Sequence, residues 1–134
     1  MLAASFVAQL QLQKAIQRVN ELASAHPKSA PLQYLLGQLL ASNGDLDSAR
    51  TAFQAAKVAD LKFIQADLAL AQLDARRKRT DAARQRLEAV TQADPRSVPA
   101  HLQLAGLEEA AGNRGAATTR YRAVLDQEDR TSQP

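Results

Sequence analysis

Residues 36–56 read LGQLLASNGDLDSARTAFQAA, residues 70–90 read LAQLDARRKRTDAARQRLEAV, and residues 104–124 read LAGLEEAAGNRGAATTRYRAV. Set beneath one another at a spacing of 34, like falls on like. Leu36, Leu70 and Leu104 share a column, as do Leu39, Leu73 and Leu107. Gly37 matches Ala71 and Ala105, and Ala49 matches Ala83 and Ala117. Phe53, Leu87 and Tyr121 form a column of large groups, followed by Ala56, Val90 and Val124. Ala15, Val19 and Leu22 continue the last three columns upstream. A fixed period of this length marks a repeat architecture, whose units are too small to bury their apolar faces alone and therefore stack.

The spacing inside each unit is helical. Leu32, Leu35, Leu36, Leu39 and Leu40 recur at three and four, which places them on one stripe. Ala49, Ala52, Phe53 and Ala56 make the stripe of a second helix. Between them, Ser42-Asn43-Gly44-Asp45 supplies a turn: Gly44 suits a left-handed stop and Asp45 an N-cap. Gly112 and Asn113 repeat the device. The middle unit has Lys78 and Arg79 there, which makes Thr80 the expected cap. Asp60 is expected to cap the helix after Leu61, and Pro31 and Pro99 sit at helix starts, where a missing N–H is harmless. The small residues Gly37, Ala71 and Ala105 let paired helices approach closely, and Phe53, Leu87 and Tyr121 fill the space between units.

Composition agrees and excludes much else. The chain has 134 residues, 46% of them hydrophobic and 4% aromatic; Ala and Leu carry the apolar share, which disfavours a β-sandwich or barrel. The absence of cysteine removes disulfide scaffolds, thiolate zinc sites and cysteine nucleophiles together. No run approaches the ~20 apolar residues of a membrane span. The first residues, Met1 to Ala8, lack the basic leader of a secretory signal, and the compartment stays open. Seventeen basic against 14 acidic residues give a net charge of only +3, weak grounds for a nucleic-acid partner.

This pattern resembles the tetratricopeptide repeat family. Leu36-Gly37, Gly44-Asp45, Ala49, Phe53 and Ala56 carry the likeness in one unit; Leu70-Ala71, Ala83, Leu87 and Pro95 carry it in the next. Leu104-Ala105, Gly112, Ala117 and Tyr121 carry it in the last. The family's tryptophan column instead holds Gln33, Asp67 and His101. The resemblance implies an all-α fold, a right-handed α-solenoid of helix–turn–helix units, about three and a half repeats long. The expected division of one domain over 1–134 is a partial unit 1–29, repeats 30–63, 64–97 and 98–131, and a tail 132–134. Residues 2–24 read as helical, either truncated or continuous, with Leu2, Phe6, Val7 and Leu10 apolar. The last helix is expected to finish near Leu125 and Asp126, before a polar tail without a capping helix. A segment of a longer bacterial array, or self-association through uncapped ends, would cover the exposed faces.

No catalytic constellation stands out. The five glycines fall at turns and helix contacts rather than in a phosphate loop. His26 and His101 lie in different units without carboxylates at ligand spacing, so no metal and no cofactor is expected. Glu108 and Glu109 are adjacent on a helix and point about 100° apart, which is not an acid–base pair. No enzyme and no small-molecule substrate is implied.

In the family, the first helix of each unit lines a groove that holds a peptide or partner helix. Matching positions here include Tyr34, Gln38, Gln65, Leu68, Gln72, Arg76, Gln103 and Gly106. Of these, Tyr34, Gln38, Gln65, Leu68, Gln72, Arg76 and Gln103 are the candidate contacts, with Tyr34 as an aromatic anchor and the amides bonding a backbone. The columns that clamp a carboxylate in chaperone-binding members hold Tyr34, Gln38, Ala69, Pro99 and Gln103, so that specificity is not implied. The resemblance points to a non-catalytic scaffold in a larger bacterial assembly such as an envelope export system. A second reading uses the basic run Arg76, Arg77, Lys78, Arg79, Arg84 and Arg86 to meet nucleic acid or another polyanion. The absence of aromatics near the run weakens it.

Overall fold

The computed structural model describes residues 2–132, and side chains from Ser5 to Asp129. Among the described residues there are seven helices and no strand. They are α1 (Leu2–Ala25), α2 (Ala30–Ser42), α3 (Leu46–Ala59), α4 (Ile64–Arg76), α5 (Thr80–Ala93), α6 (Val98–Ala110) and α7 (Arg114–Ser132). Two compact units divide within α4, one ending at Ala66 and the other beginning at Asp67.

In the first unit, Ile16, Val19 and Ala23 of α1 pack against Leu32, Leu36 and Leu40 of α2 and Ala52 of α3. A second cluster joins Ala30 and Tyr34 to Ala56, Ala59, Phe63 and Ala66. Gly37 permits the close approach of α2 and α3: a Cβ there would lie 2.5 Å from the Phe53 ring. Phe53 thus packs on the glycine of its own hairpin, rather than only between units as the columns suggest. In the second unit, Leu68 and Ala71 of α4, Ala83 and Leu87 of α5, and Leu104 and Leu107 of α6 form one core. Leu87 and Leu104 are essentially inaccessible, each worth about 2 kcal/mol of apolar transfer.

The hairpin turns repeat atom for atom. Asp45, Arg79 and Asn113 donate their amides to the carbonyls five residues back, of Leu40, Asp74 and Glu108, at 2.8–2.9 Å. The residue before each is left-handed: Gly44 at φ 83°, Lys78 at φ 60° and Gly112 at φ 85°. This six-to-one bond around a left-handed residue closes a helix C-terminus. Lys78 therefore occupies a glycine position, a conformation that L side chains adopt at a cost.

Several expected caps are made otherwise. Asp45 is the α3 N-cap residue, yet its carboxylate accepts from Asn43 Nδ2 at 2.7 Å instead of from the helix. Thr80 is the first residue of α5, whose N-cap position is Arg79, without a side-chain cap. Asp60 accepts from the Lys62 amide at 3.0 Å, because α4 begins only at Ile64 and lies beyond the reach of its carboxylate. The side-chain caps that do form are Ser29 on Leu32 and Ser97 on Ala100, each preceding a proline in the first turn.

The two end regions also take definite form. α1 runs unbroken from Leu2 to Ala25, because no glycine or proline interrupts it. The last helix does not stop near Leu125 and Asp126 but continues to Ser132. Residues 126–132 are polar but contain no helix breaker, so nothing in the sequence stops the helix at Asp126. Of the expected tail 132–134, Ser132 still belongs to α7, and 133–134 lie outside the described residues.

Candidate functional site

The second unit carries a cleft of about 660 Å³ between the C-terminal halves of α4 and α6. Its apolar surface comes from Ala71 and Ala75 of α4, Leu87 of α5, and Leu107, Ala110 and Ala111 at the end of α6. Polar groups converge on it from both sides: Gln72 and Arg76 from α4, Lys78 and Thr80 from the turn and α5, and Gln103 from α6. A concave apolar surface with a few placed polar groups is the usual form of a binding site. The helical period explains the convergence, since Gln72, Ala75 and Arg76 sit three and four apart on one face. Gly106 and Ala110 continue the Gln103 face on α6. Gly106 opens the space, because a Cβ added there would meet nothing within 4 Å.

Of the seven candidate contacts, the cleft brings together Gln72, Arg76 and Gln103. Leu68 is half-buried against the α4–α6 core. Tyr34, Gln38 and Gln65 belong to the first unit. The Tyr34 ring lies 5.7 Å from that of Phe53 and 5.5 Å from that of Phe63, edge-on to the latter. Its hydroxyl accepts from Gln38 Nε2 at 3.1 Å. Tyr34 is thus half-buried and spends most of its ring on the unit's interior. Gln65 is exposed near the start of α4. The sequence reading named Lys78 only in the turn and the basic run and did not place Ala71, Ala75, Thr80, Leu87, Leu107, Ala110 or Ala111 in a groove. Gly106 was visible as the glycine in the column of Gln38 and Gln72.

The basic run does not form one surface. Arg86 turns inward, its guanidinium 3.7 Å from Asp74 and 3.8 Å from Asp67. Asp74 is only 2% exposed, so this carboxylate draws the cation off the surface. Arg77 and Arg84 are half-buried, whereas Arg76, Lys78 and Arg79 are exposed. Arg76 and Lys78 are the two that reach the cleft.

A parallel arrangement follows in α6–α7. Arg120 Nε donates to Glu108 Oε1 at 2.8 Å, and Arg120 Nη1 lies 3.5 Å from His101 Nδ1. His101 Nε2 meets the Pro95 carbonyl at 2.8 Å, which assigns its proton to Nε2 and leaves Nδ1 as the acceptor. Glu109 turns the other way and accepts from Tyr121; burial first, and that carboxylate second, push the Tyr121 phenol above its ordinary value. Among the described residues no group of three or more acidic or imidazole side chains is arranged to hold a metal. No helix there is long and apolar enough to cross a membrane.

Residues 1–60 match the family model described as tetratricopeptide repeat. A crystal structure of MamA superposes with a TM-score of 0.79 at 20% identity, over 90% of this chain and 71% of that one. The chain has the tetratricopeptide repeat fold. A tetratricopeptide repeat protein from Parabacteroides merdae ATCC 43184 also superposes at 0.79 with 20% identity, over 92% of this chain and 48% of its own. A fragment of MamA from Desulfovibrio magneticus RS-1 gives 0.58 at 16% identity, over 98% of this chain and 94% of that one. The chain thus spans about half of the Parabacteroides protein and nearly all of the shorter fragment. No curated protein matches the sequence.

Proposed function

We infer that this chain is a non-catalytic scaffold that docks a segment of a partner protein in the α4–α6 cleft. One observation carries the reading: Gln72, Arg76 and Gln103, from two first helices of consecutive repeats, converge on an apolar surface. The amides offer both donors and acceptors to a partner's backbone, and the apolar surface rewards a buried side chain. The role belongs within a larger bacterial assembly, with an envelope export system as the family-level candidate.

A photo-crosslinking side chain at Gln103 tests this, with one at exposed Gln85 on α5 as control. A partner adduct is expected from position 103 alone, and Gly106→Leu, which fills the cleft, should abolish it. Equal adducts from both positions, or an adduct indifferent to Gly106→Leu, would refute the docking site.

A further inference from the structure

The cleft is charged on one side only. Arg76 and Lys78 reach it, and no carboxylate is among its lining residues. The nearest carboxylate on the same stretch of α4, Asp74, is buried and faces Arg86. The left-handed turn holds Lys78 just beyond the end of α4, two residues after Arg76. Two exposed cations therefore border a surface made of alanine, glycine and leucine. The lining leaves room for an aliphatic side chain beside Gly106.

From these facts the geometry points to an acidic peptide segment with an aliphatic anchor as the occupant. The anchor sits on Ala71, Ala75 and Leu107, and carboxylates next to it meet Arg76 and Lys78 at the charged edge. Gln72 and Gln103 take the backbone between. This rests on the docking reading above and adds the chemistry of the partner. Opposite charge at the rim acts mainly on recognition and association rate, while the enclosed apolar anchor supplies most of the affinity. Salt should therefore weaken binding without abolishing it.

The test is enrichment of a displayed random peptide library on the full chain, followed by titration of labelled synthetic copies of the enriched peptides. Enriched sequences should combine aspartate or glutamate with leucine, isoleucine or valine. Replacing their acids with amides, or introducing Arg76→Glu with Lys78→Glu, should weaken binding more than about tenfold, roughly one decade in Kd. Gly106→Leu should remove it while leaving the thermal transition in place, because the added side chain enters open space. If neutral or basic peptides are enriched and depend on Gly106, docking stands and the acidic partner is wrong. If no enriched peptide is sensitive to Gly106→Leu, both readings fall.

Discussion

Arg120 meets Glu108 across the α6–α7 hairpin at 2.8 Å, and 34 residues earlier Arg86 faces Asp74 across α4–α5 at 3.7 Å. The same two columns in the first hairpin hold Leu40 and Ala52, which pack as part of an apolar cluster. One structural position is thus filled either by a paired charge or by hydrocarbon.

Breaking one partner should therefore differ from replacing both. Glu108 Oε2 is already buried without a hydrogen bond, so removing Arg120 leaves a carboxylate with no compensation at all. Arg120→Ala should destabilise by about 2 kcal/mol, an amount moderated by the partial exposure of the arginine. Glu108→Leu combined with Arg120→Ala copies the first hairpin and should return to within about 1 kcal/mol of the parent. Urea unfolding of the three variants gives both numbers. A double variant as unstable as Arg120→Ala would mean that the pair cannot be exchanged for an apolar contact.

Lys78 stands where Gly44 and Gly112 stand in the neighbouring turns, with φ at 60°. Lys78→Gly should stabilise the chain by about 1 kcal/mol, since glycine carries no left-handed penalty. The same substitution removes a cation from the cleft, so it should weaken acidic peptides while raising Tm. Thermal melting beside peptide titration separates the two effects. Gly44→Ala should lose a similar amount of stability.

The repeat was legible because its columns are apolar and local: a period of 34 in leucines and alanines survives without knowledge of any contact. The left-handed Lys78 could have been read from the same period, since 44, 78 and 112 are equally spaced. Arg86 could not be separated from its basic neighbours by composition. Its partners Asp67 and Asp74 come from another helix, and only burial of Asp74 shows which arginine is drawn inward. Tyr34 escaped for a related reason, as its exposure depends on Phe63, which lies in a loop outside the helical stripe. The cleft was half visible: its amides follow helical spacing, but its opening depends on a missing side chain at Gly106.

Tyr121 makes an alkaline prediction. Its phenol ionises above the ordinary 10.0, because burial and the Glu109 hydrogen bond both favour the neutral form. A raised native pKa means that the folded chain holds this proton more tightly than the unfolded one. The stabilisation is fully present below pH 10.0 and disappears as pH rises through the native value. In a Tyr34→Phe background, tyrosinate absorbance should report Tyr121 alone. Glu109→Gln should lower its midpoint without returning it to 10.0, since burial is the larger cause. A midpoint at or below 10.0 in the Tyr34→Phe protein would contradict the observed surroundings.

Gly37 and Phe53 make a size-matched pair, and the same two columns of the other hairpins hold Ala71 with Leu87 and Ala105 with Tyr121. A methyl group on Gly37 would press within 2.5 Å of an aromatic carbon that sits in a buried, fully packed position. The ring is already held against Tyr34, which limits how far it can retreat. Gly37→Ala should therefore cost about 2 kcal/mol through overpacking, despite the gain in helix propensity. Adding Phe53→Leu recreates the Ala71–Leu87 pairing and removes the ring atoms that clash. The double variant should then be more stable than Gly37→Ala alone, although Phe53→Leu by itself leaves a small void and destabilises. A double-mutant cycle in urea measures the coupling, which should favour the pair by at least about 1 kcal/mol. Strict additivity would show that α2 and α3 separate to admit the methyl group, and that the glycine is not what sets their distance.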